Sequence, residues 1–568
     1  MSSEEQNLHQ PGAESLDAGQ EPMTPMTPML SGLEPDGATQ GRADKERGLE
    51  TPTGPIAQAK RPRLLIEDGD LPAAAAAIGE MLAKQPHIFE RAVPVRVVTK
   101  ENTGEIFVEP LKPQAVIDEV HRIVQPYKIK QSRGTEEVVN ITLPNQVASL
   151  YLENSRHWNL RVLNGFSTAP LVSKGGTIRT ATGYDEATKL WCHGMPEVNV
   201  PAQPTREEAD AALATLRQHF CTFAFADAVR AKPGTMTPHG HAWVDVSAPP
   251  GQDESCALMA LMTAVVRPSL WLAPAIAITA PARSGAGTGK GLLTRAICAI
   301  AFGFQPSAVT TGAAAEELDK RLTSMLIGAD QAILLDNVNE QGLKSNILAS
   351  AITERPASIR PLRSTSTIKL NPSSLIVVNG NGLRLSEDLV RRFIPTKLDT
   401  GTENPEARAF KGDFLKDTQA RRAGLLAPVL TIFRWGQQVP DGLPAGLPLG
   451  SFGDWAEWCR DPLLALGCQD PVARISEMKE ADPERQALAL LFTTWHRHHG
   501  SNRVASTKLR DEVVELIAPL GGSRQSISSY VQKLEGTAAG GFVLKRHPKL
   551  SEWGVNTYCV VPNTSPNE

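Results

Sequence analysis

The stretch that decides the fold is AIAITAPARSGAGTGKGLLTRAI, residues 275–297. An apolar run, AIAIT, reads as a buried strand, and LLTRAICAI reads as the helix that follows it. Between them lie Gly285, Gly287, Thr288, Gly289 and Lys290. Glycines at this spacing let backbone N–H groups close around phosphates, a lysine reaches the terminal phosphates, and the helix N-terminus faces the charge. Two residues depart from the usual phosphate-loop pattern. Ser284 stands at the first glycine, and Gly291 stands where a Ser or Thr hydroxyl normally holds magnesium. Taken alone, the stretch fits either a phosphate site or a structural glycine turn.

Three downstream segments favour the phosphate site. QAILLDNV ends an apolar run on Asp336 and Asn337, and a carboxylate at a strand's C-terminal end suits magnesium. SSLIVVNGNGL ends another run on Asn379 and Asn381, polar groups suited to orienting a water; an Asn-Gly turn is the plainer account. EDLVRRF sets Arg391 and Arg392 side by side, as a charge-stabilising finger would require, although an exposed basic pair on a helix is common. Their order along the chain matters more than any one of them. From about 255 to 435, apolar strand-like runs alternate with helical segments, which predicts a parallel α/β sheet.

GTGKGLL, AILLDNV and IVVNGNGLRLSEDLVRRFIPTKLD together resemble the superfamily 3-type helicase core of phage, plasmid and poxvirus primase–helicases. The likeness extends more loosely to LNGFSTAPLVSKGGTIRTATGYDEATKLW. It implies an AAA+-type, ring-forming, ATP- and Mg2+-dependent DNA motor, a homo-hexamer acting on single-stranded or forked DNA. Carried over by motif, Lys290 would bind the β- and γ-phosphates and Asp336 the magnesium. Asn337 would take the second Walker B position, usually acidic. Asn381 would be the sensor, with Asn379 in reserve, and Arg391 or Arg392 the finger acting across a subunit boundary. Gly291 reads as a variant of the loop, one that leaves magnesium to Asp336, water and the nucleotide. RPASIRPLRSTSTIKLNP falls where such motors place a DNA-contacting hairpin, with Arg355, Arg360, Arg363 and Lys369 as its basic residues; Arg363 and Lys369 are the expected phosphate contacts.

The rest of the chain frames this core as a multidomain α/β protein. Residues 1–65, rich in Gly, Pro and acidic residues, are expected to be a disordered tail. KRPR, residues 60–63, is a basic run that fits either a targeting signal or a solvated surface. An α+β domain of open role is expected over 66–205, a helical connector over 206–255, the ATPase over 256–436 and a linker over 437–483. Residues 484–563 read as three helices and a hairpin, a winged-helix pattern, with Ser506 a candidate helix cap. Arg524 and Lys533 on the later helix, and Lys545 and Arg546 on the wing, are candidate DNA contacts; winged helices also dock proteins.

Seven scattered cysteines without a CxxC pair argue against zinc fingers and disulfide scaffolds and suit a reducing cytoplasm. A net charge of -4 confines any nucleic-acid surface to local patches. The apolar run from Cys256 to Ala280 is interrupted by Arg267, Pro268 and Pro274, so it predicts a buried helix and strand, with no membrane partner. Residues 66–250 show no paired carboxylates of a two-metal polymerase site, so a primase would be a separate partner. The functions left open are a replicative helicase of a phage, plasmid or integrated element, a DNA-binding ATPase switch that initiates or loads, and a non-hydrolysing nucleotide-gated DNA binder.

Overall fold

The apolar run that opens the quoted stretch forms β1, Ala275–Ala280, inside a five-stranded, all-parallel sheet. The structure, a computed structural model, describes residues 61–100, 106–132, 134–310, 315–339, 342–361, 367–439, 442–480, 483–518, 523–547 and 556–563. The other strands are β2 (Ala308–Thr310), β3 (Ala332–Asp336), β4 (Leu375–Asn381) and β5 (Phe393–Lys397). Their spatial order is β2-β3-β4-β1-β5. Buried on both faces, β1, β3 and β4 are continuous apolar runs rather than alternating ones. β4 is inserted between β1 and β3, with Ala280 opposite Asn381 and Leu335 opposite Val378. That register brings the C-terminal ends of three strands to one edge.

Helices flank the sheet. Helix α1 (Arg206–Phe220) begins with a capping box, Thr205 and Glu208 bonding reciprocally. Helix α2 (Gln252–Val266) is buried along its whole length, in keeping with the apolar run that precedes β1. Helix α3 (Lys290–Phe302) carries the chain away from the glycine loop, and α4 (Ala315–Gly328) leads into β3. Helix α5 (Asn346–Thr353) precedes β4, and α6 (Arg422–Gln438) follows β5. Leu213 and Leu216 of α1, Ile276 and Ile278 of β1, Leu430 of α6, and Trp455 and Ile475 beyond it belong to one apolar core. The segments expected as a connector (206–255) and a linker (437–483) thus contribute side chains to the sheet's own body. Arg474, on the helix Pro471–Glu480, grips the buried Asp253 carboxylate, which also accepts the Lys397 N–H of β5 at 2.8 Å.

Toward the N-terminus, a second core gathers Leu64, Ile78, Leu82, Val116, Val120, Val147 and Tyr151. The first helix of this region, Leu71–Ala83, is capped by the Asp70 side chain. Two further helices, Pro113–Ile123 and Asn145–Glu153, stand where sequence reading marked none. The strand Arg63–Leu65 begins this region, inside the span expected to be a tail; residues 1–60 lie outside the described residues. The C-terminal unit has helices Pro483–His499, Asp511–Ile517 and Arg524–Lys533 around their own core. Against them lies an antiparallel sheet in the order Val504–Ala505, Thr557–Pro562, Phe542–His547 and Ala538–Ala539. Ser506 does not cap the second helix. It heads a 3-10 turn, Ser506–Lys508, and its hydroxyl donates to Ser528 at 3.0 Å. Among the described residues no helix is long and apolar enough to cross a membrane.

One buried arginine fastens the N-terminal region to the sheet body. Arg91 donates from Nε to Ile327 O at 2.9 Å and from its two terminal nitrogens to the carbonyls of Leu163, Asn164 and Leu326. Burial lowers its pKa to about 10. Ile327 and Leu326 end α4, where free carbonyls face outward and a cation is favourable. Arg91→Ala leaves these carbonyls unpaired, so urea denaturation is expected to show a loss of about 3 kcal/mol or more. A change under about 0.5 kcal/mol would show that the joint is not structural.

Candidate nucleotide site

The loop after β1 turns back on itself through Gly287 (φ 71°) and Gly289 (φ 98°), both in the left-handed region. At its apex a Cβ on Gly287 would lie 2.8 Å from the Glu406 Cβ, so the backbone of residues 404–407 closes one side. On the other, the Phe223 ring comes within 3.5 Å of a Cβ placed on Gly289. Thr288 is buried and its hydroxyl donates to Gly285 O at 2.9 Å, holding the loop from inside.

Lys290, the first residue of α3, folds its ammonium back over the loop. It donates to Gly285 O at 2.7 Å and to Asn381 Oδ1 at 2.5 Å. Burial lowers the Lys290 pKa, and the nearby Asp336 carboxylate acts in the opposite sense. Gly285 is sterically required here, because an added Cβ would lie 2.3 Å from Pro281 O and 2.7 Å from Asn381 Oδ1. Lys290, Asn381 and Asp336 therefore occupy the C-terminal ends of β1's loop, β4 and β3. This is the edge at which open parallel sheets bind ligands.

The two asparagines of β4 separate cleanly. Asn381 faces the loop, and its backbone N–H donates to Asn339 Oδ1 at 2.8 Å. Asn379 is fully buried, and its Oδ1 accepts the Thr294 hydroxyl of α3 at 3.0 Å. Asn337 is exposed with φ 59°. Asparagine enters that left-handed conformation more readily than glutamate, which gives a local reason for the missing acid. Its N–H donates to Asp336 Oδ1 at 3.0 Å. Asn339, Phe223 and Glu406 were not anticipated from sequence, since each adjoins the loop only through the fold.

Arg391 and Arg392 lie at the opposite end of the sheet, beside the start of β1: Ala275 N–H donates to Arg392 O at 2.9 Å. The pair divides. Arg392 is largely enclosed and donates to Ala349 O (2.7 Å), Thr353 Oγ1 (2.9 Å) and Asp388 Oδ1 (2.8 Å). Arg391 is exposed, bonded to Asp388 at 2.7 Å, and opens onto a cleft of about 560 Å3 also lined by Lys344, Lys479 and Arg485. The expected hairpin is present at this end too, Ala357–Ile359 pairing antiparallel with Ile368–Leu370. Lys369 and its partner Ser358 are exposed. Arg363 lies outside the described residues. Arg355 is no surface contact: it donates to Ala351 O and Pro372 O, and burial lowers its pKa to about 8.

In the C-terminal unit, Arg524, Lys533 and Lys545 are exposed, whereas Arg546 pairs with Glu535 at 3.3 Å. Arg524 and Lys533 open and close one helix, and Lys545 projects from a strand of the sheet.

No protein-family model matches the chain, and no curated protein does. Among solved structures it is similar to the apo C-terminal region of NrS-1, at 11% identity and TM-score 0.35, covering 82% of this chain and 96% of that one. It is also similar to SCCmec type IV Cch, described as an active helicase, at 9% identity and TM-score 0.30, covering 84% and 98%. Likenesses of this size carry no conclusion about the present chain.

The flank of the loop holds a buried histidine. His219, on α1, stacks on Phe414 with ring centroids 4.9 Å apart, and Phe414 contacts Phe223 edge-on at 5.5 Å. Burial, helped by Arg421, lowers the His219 pKa from 6.5 to about 4. Its folded pKa lies below its unfolded one, so this contribution to stability is complete above 6.5 and is lost as pH falls toward 4. His219→Phe is expected to flatten that acid limb in melting temperatures measured between these pH values; an unchanged limb would assign the loss to other groups.

Proposed function

We propose that this chain is an ATP-dependent DNA helicase or translocase of the superfamily 3, AAA+-type class, working as a ring in the replication of a phage, plasmid or integrated element. The observation that carries the reading is the convergence of Lys290, Asn381 and Asp336 at one sheet edge, with Lys290 Nζ 2.5 Å from Asn381 Oδ1. A strand inserted between the loop strand and the carboxylate strand supports the AAA+-type assignment. The cradle fits a nucleotide triphosphate: two left-handed glycines and a helix N-terminus.

Bound ATP would supply the phosphoanhydride whose hydrolysis drives the motor. Lys290, with Gly285, Gly287, Thr288, Gly289 and Gly291, holds the phosphates, and Lys290 exchanges its Asn381 contact for phosphate oxygens. Asp336 would hold Mg2+ or its water. Asn381, once released, orients the attacking water between β3 and β1, while Asn337 lies beside that path. Arg391 neutralises charge on a phosphate bound by a neighbouring copy, since its own loop lies at the other end of the sheet. Arg392 fixes the short helix that presents it. Lys369 grips the DNA backbone from the hairpin. Arg524, Lys533 and Lys545 add contacts through the winged unit, with Arg546 shaping the wing.

The test is ATP turnover by purified protein with and without single-stranded DNA. Wild-type turnover is expected to rise with DNA. Lys290→Ala is expected to abolish it, and Arg391→Ala to lower it about a thousandfold while ATP still binds. Turnover that ignores both DNA and Arg391 would contradict the motor, and absence of turnover with Lys290-dependent binding would leave a nucleotide-gated DNA binder.

A further inference from the structure

The glycine that replaces the magnesium hydroxyl is not simply a gap. Gly291 is the second residue of α3, and side chains on a helix lean toward its N-terminus, so a side chain here would point at the phosphates. A Cβ built on Gly291 would lie 2.8 Å from a terminal nitrogen of Arg295. Arg295 is one turn further on and on the same face, and its guanidinium reaches back over the space a Ser or Thr would fill. It is half-buried, and no hydrogen bond or ion pair engages it among the described residues. The nearby hydroxyls are committed elsewhere. Thr288 donates to Gly285 O, and Thr294 turns inward to Asn379.

We infer that Arg295 is a phosphate-binding residue that takes over part of the charge neutralisation supplied elsewhere by a hydroxyl-anchored magnesium ion. Gly291 is then the residue that gives it room. A guanidinium matches phosphate oxygens with two parallel donors and keeps its charge at all working pH values. The inference rests on the nucleotide reading of the same loop. Its consequence is specific: the site holds ATP in the absence of divalent cations better than a loop with a Ser or Thr at this position.

The experiment measures ATP binding to the full chain by titration calorimetry, in magnesium and in EDTA. Wild type is expected to lose little affinity in EDTA. Arg295→Gln is expected to weaken EDTA binding about tenfold, the scale of one lost charge-assisted hydrogen bond, and to change binding in magnesium less. Arg295→Lys should recover part of that loss. Gly291→Ser, which needs only the flexible Arg295 tip to move, should make binding more magnesium-dependent. Melting curves check that each variant is folded. If wild type loses ATP in EDTA as fully as Gly291→Ser, or if Arg295→Gln leaves the EDTA affinity unchanged, the inference is overturned while the nucleotide site stands. If wild type binds no ATP in either buffer and Lys290→Ala changes nothing, the nucleotide reading itself fails.

Discussion

The site depends on one pairing, Ala280 of β1 against Asn381 of β4. Because β4 separates the loop strand from the carboxylate strand, its last residue lands between Lys290 and Asp336. A one-residue slip would turn Asn381 away and bring its neighbour to the site, since successive strand side chains face opposite sides. Gly380 holds that register from behind. A Cβ there would lie 1.8 Å from Val338 O, so the backbone beyond β3 is in direct contact with β4. Asn339, accepting the Asn381 N–H, closes the same arrangement.

A parallel sheet also has two unlike ends, and the candidate chemistry is split between them. The loop, Asp336 and Asn381 share the C-terminal end of the strands. The Arg391 backbone, next to the start of β1, and the Lys369 hairpin, which leads into β4, lie toward the other. A single copy cannot bring Arg391 to its own loop without dismantling β5, whose residues Phe393–Lys397 pair along β1. Association of copies is therefore what the proposed function requires of this geometry. Arg392, bonded to Ala349, Thr353 and Asp388, secures the base from which Arg391 projects.

Much of this was legible in the sequence, for physical reasons. Strands buried on both faces must be apolar throughout, so β1, β3 and β4 stand out, and the polar residues ending them are the candidate site. What the sequence left open was decided by distance in space. Nothing local distinguishes Asn379 from Asn381, or Arg391 from Arg392; burial of one member of each pair does. Arg355 looked like a surface contact because it sits in a basic run, yet its partners, Ala351 and Pro372, appear only after folding. Pro113–Ile123 carries Val116, Ile117, Val120 and Ile123 at helical spacing, so its signal is present in the sequence, whereas Asn145–Glu153, at nine residues, is too short for periodicity to mark it clearly. The Pro and Gly content of 437–483 does not reveal that Trp455 and Ile475 pack into the main core.

The central claim is that a complete site needs residues from two copies, and mixing two inactive variants tests it most directly. Lys290→Ala chains lack a working loop but keep Arg391, and Arg391→Ala chains keep the loop. If copies complete each other's sites, mixtures of the two will hydrolyse ATP faster than either alone, with a maximum at intermediate ratios. Activity that never exceeds that of the separate variants, in mixtures shown to co-assemble, would contradict the shared site and place the finger elsewhere in the chain.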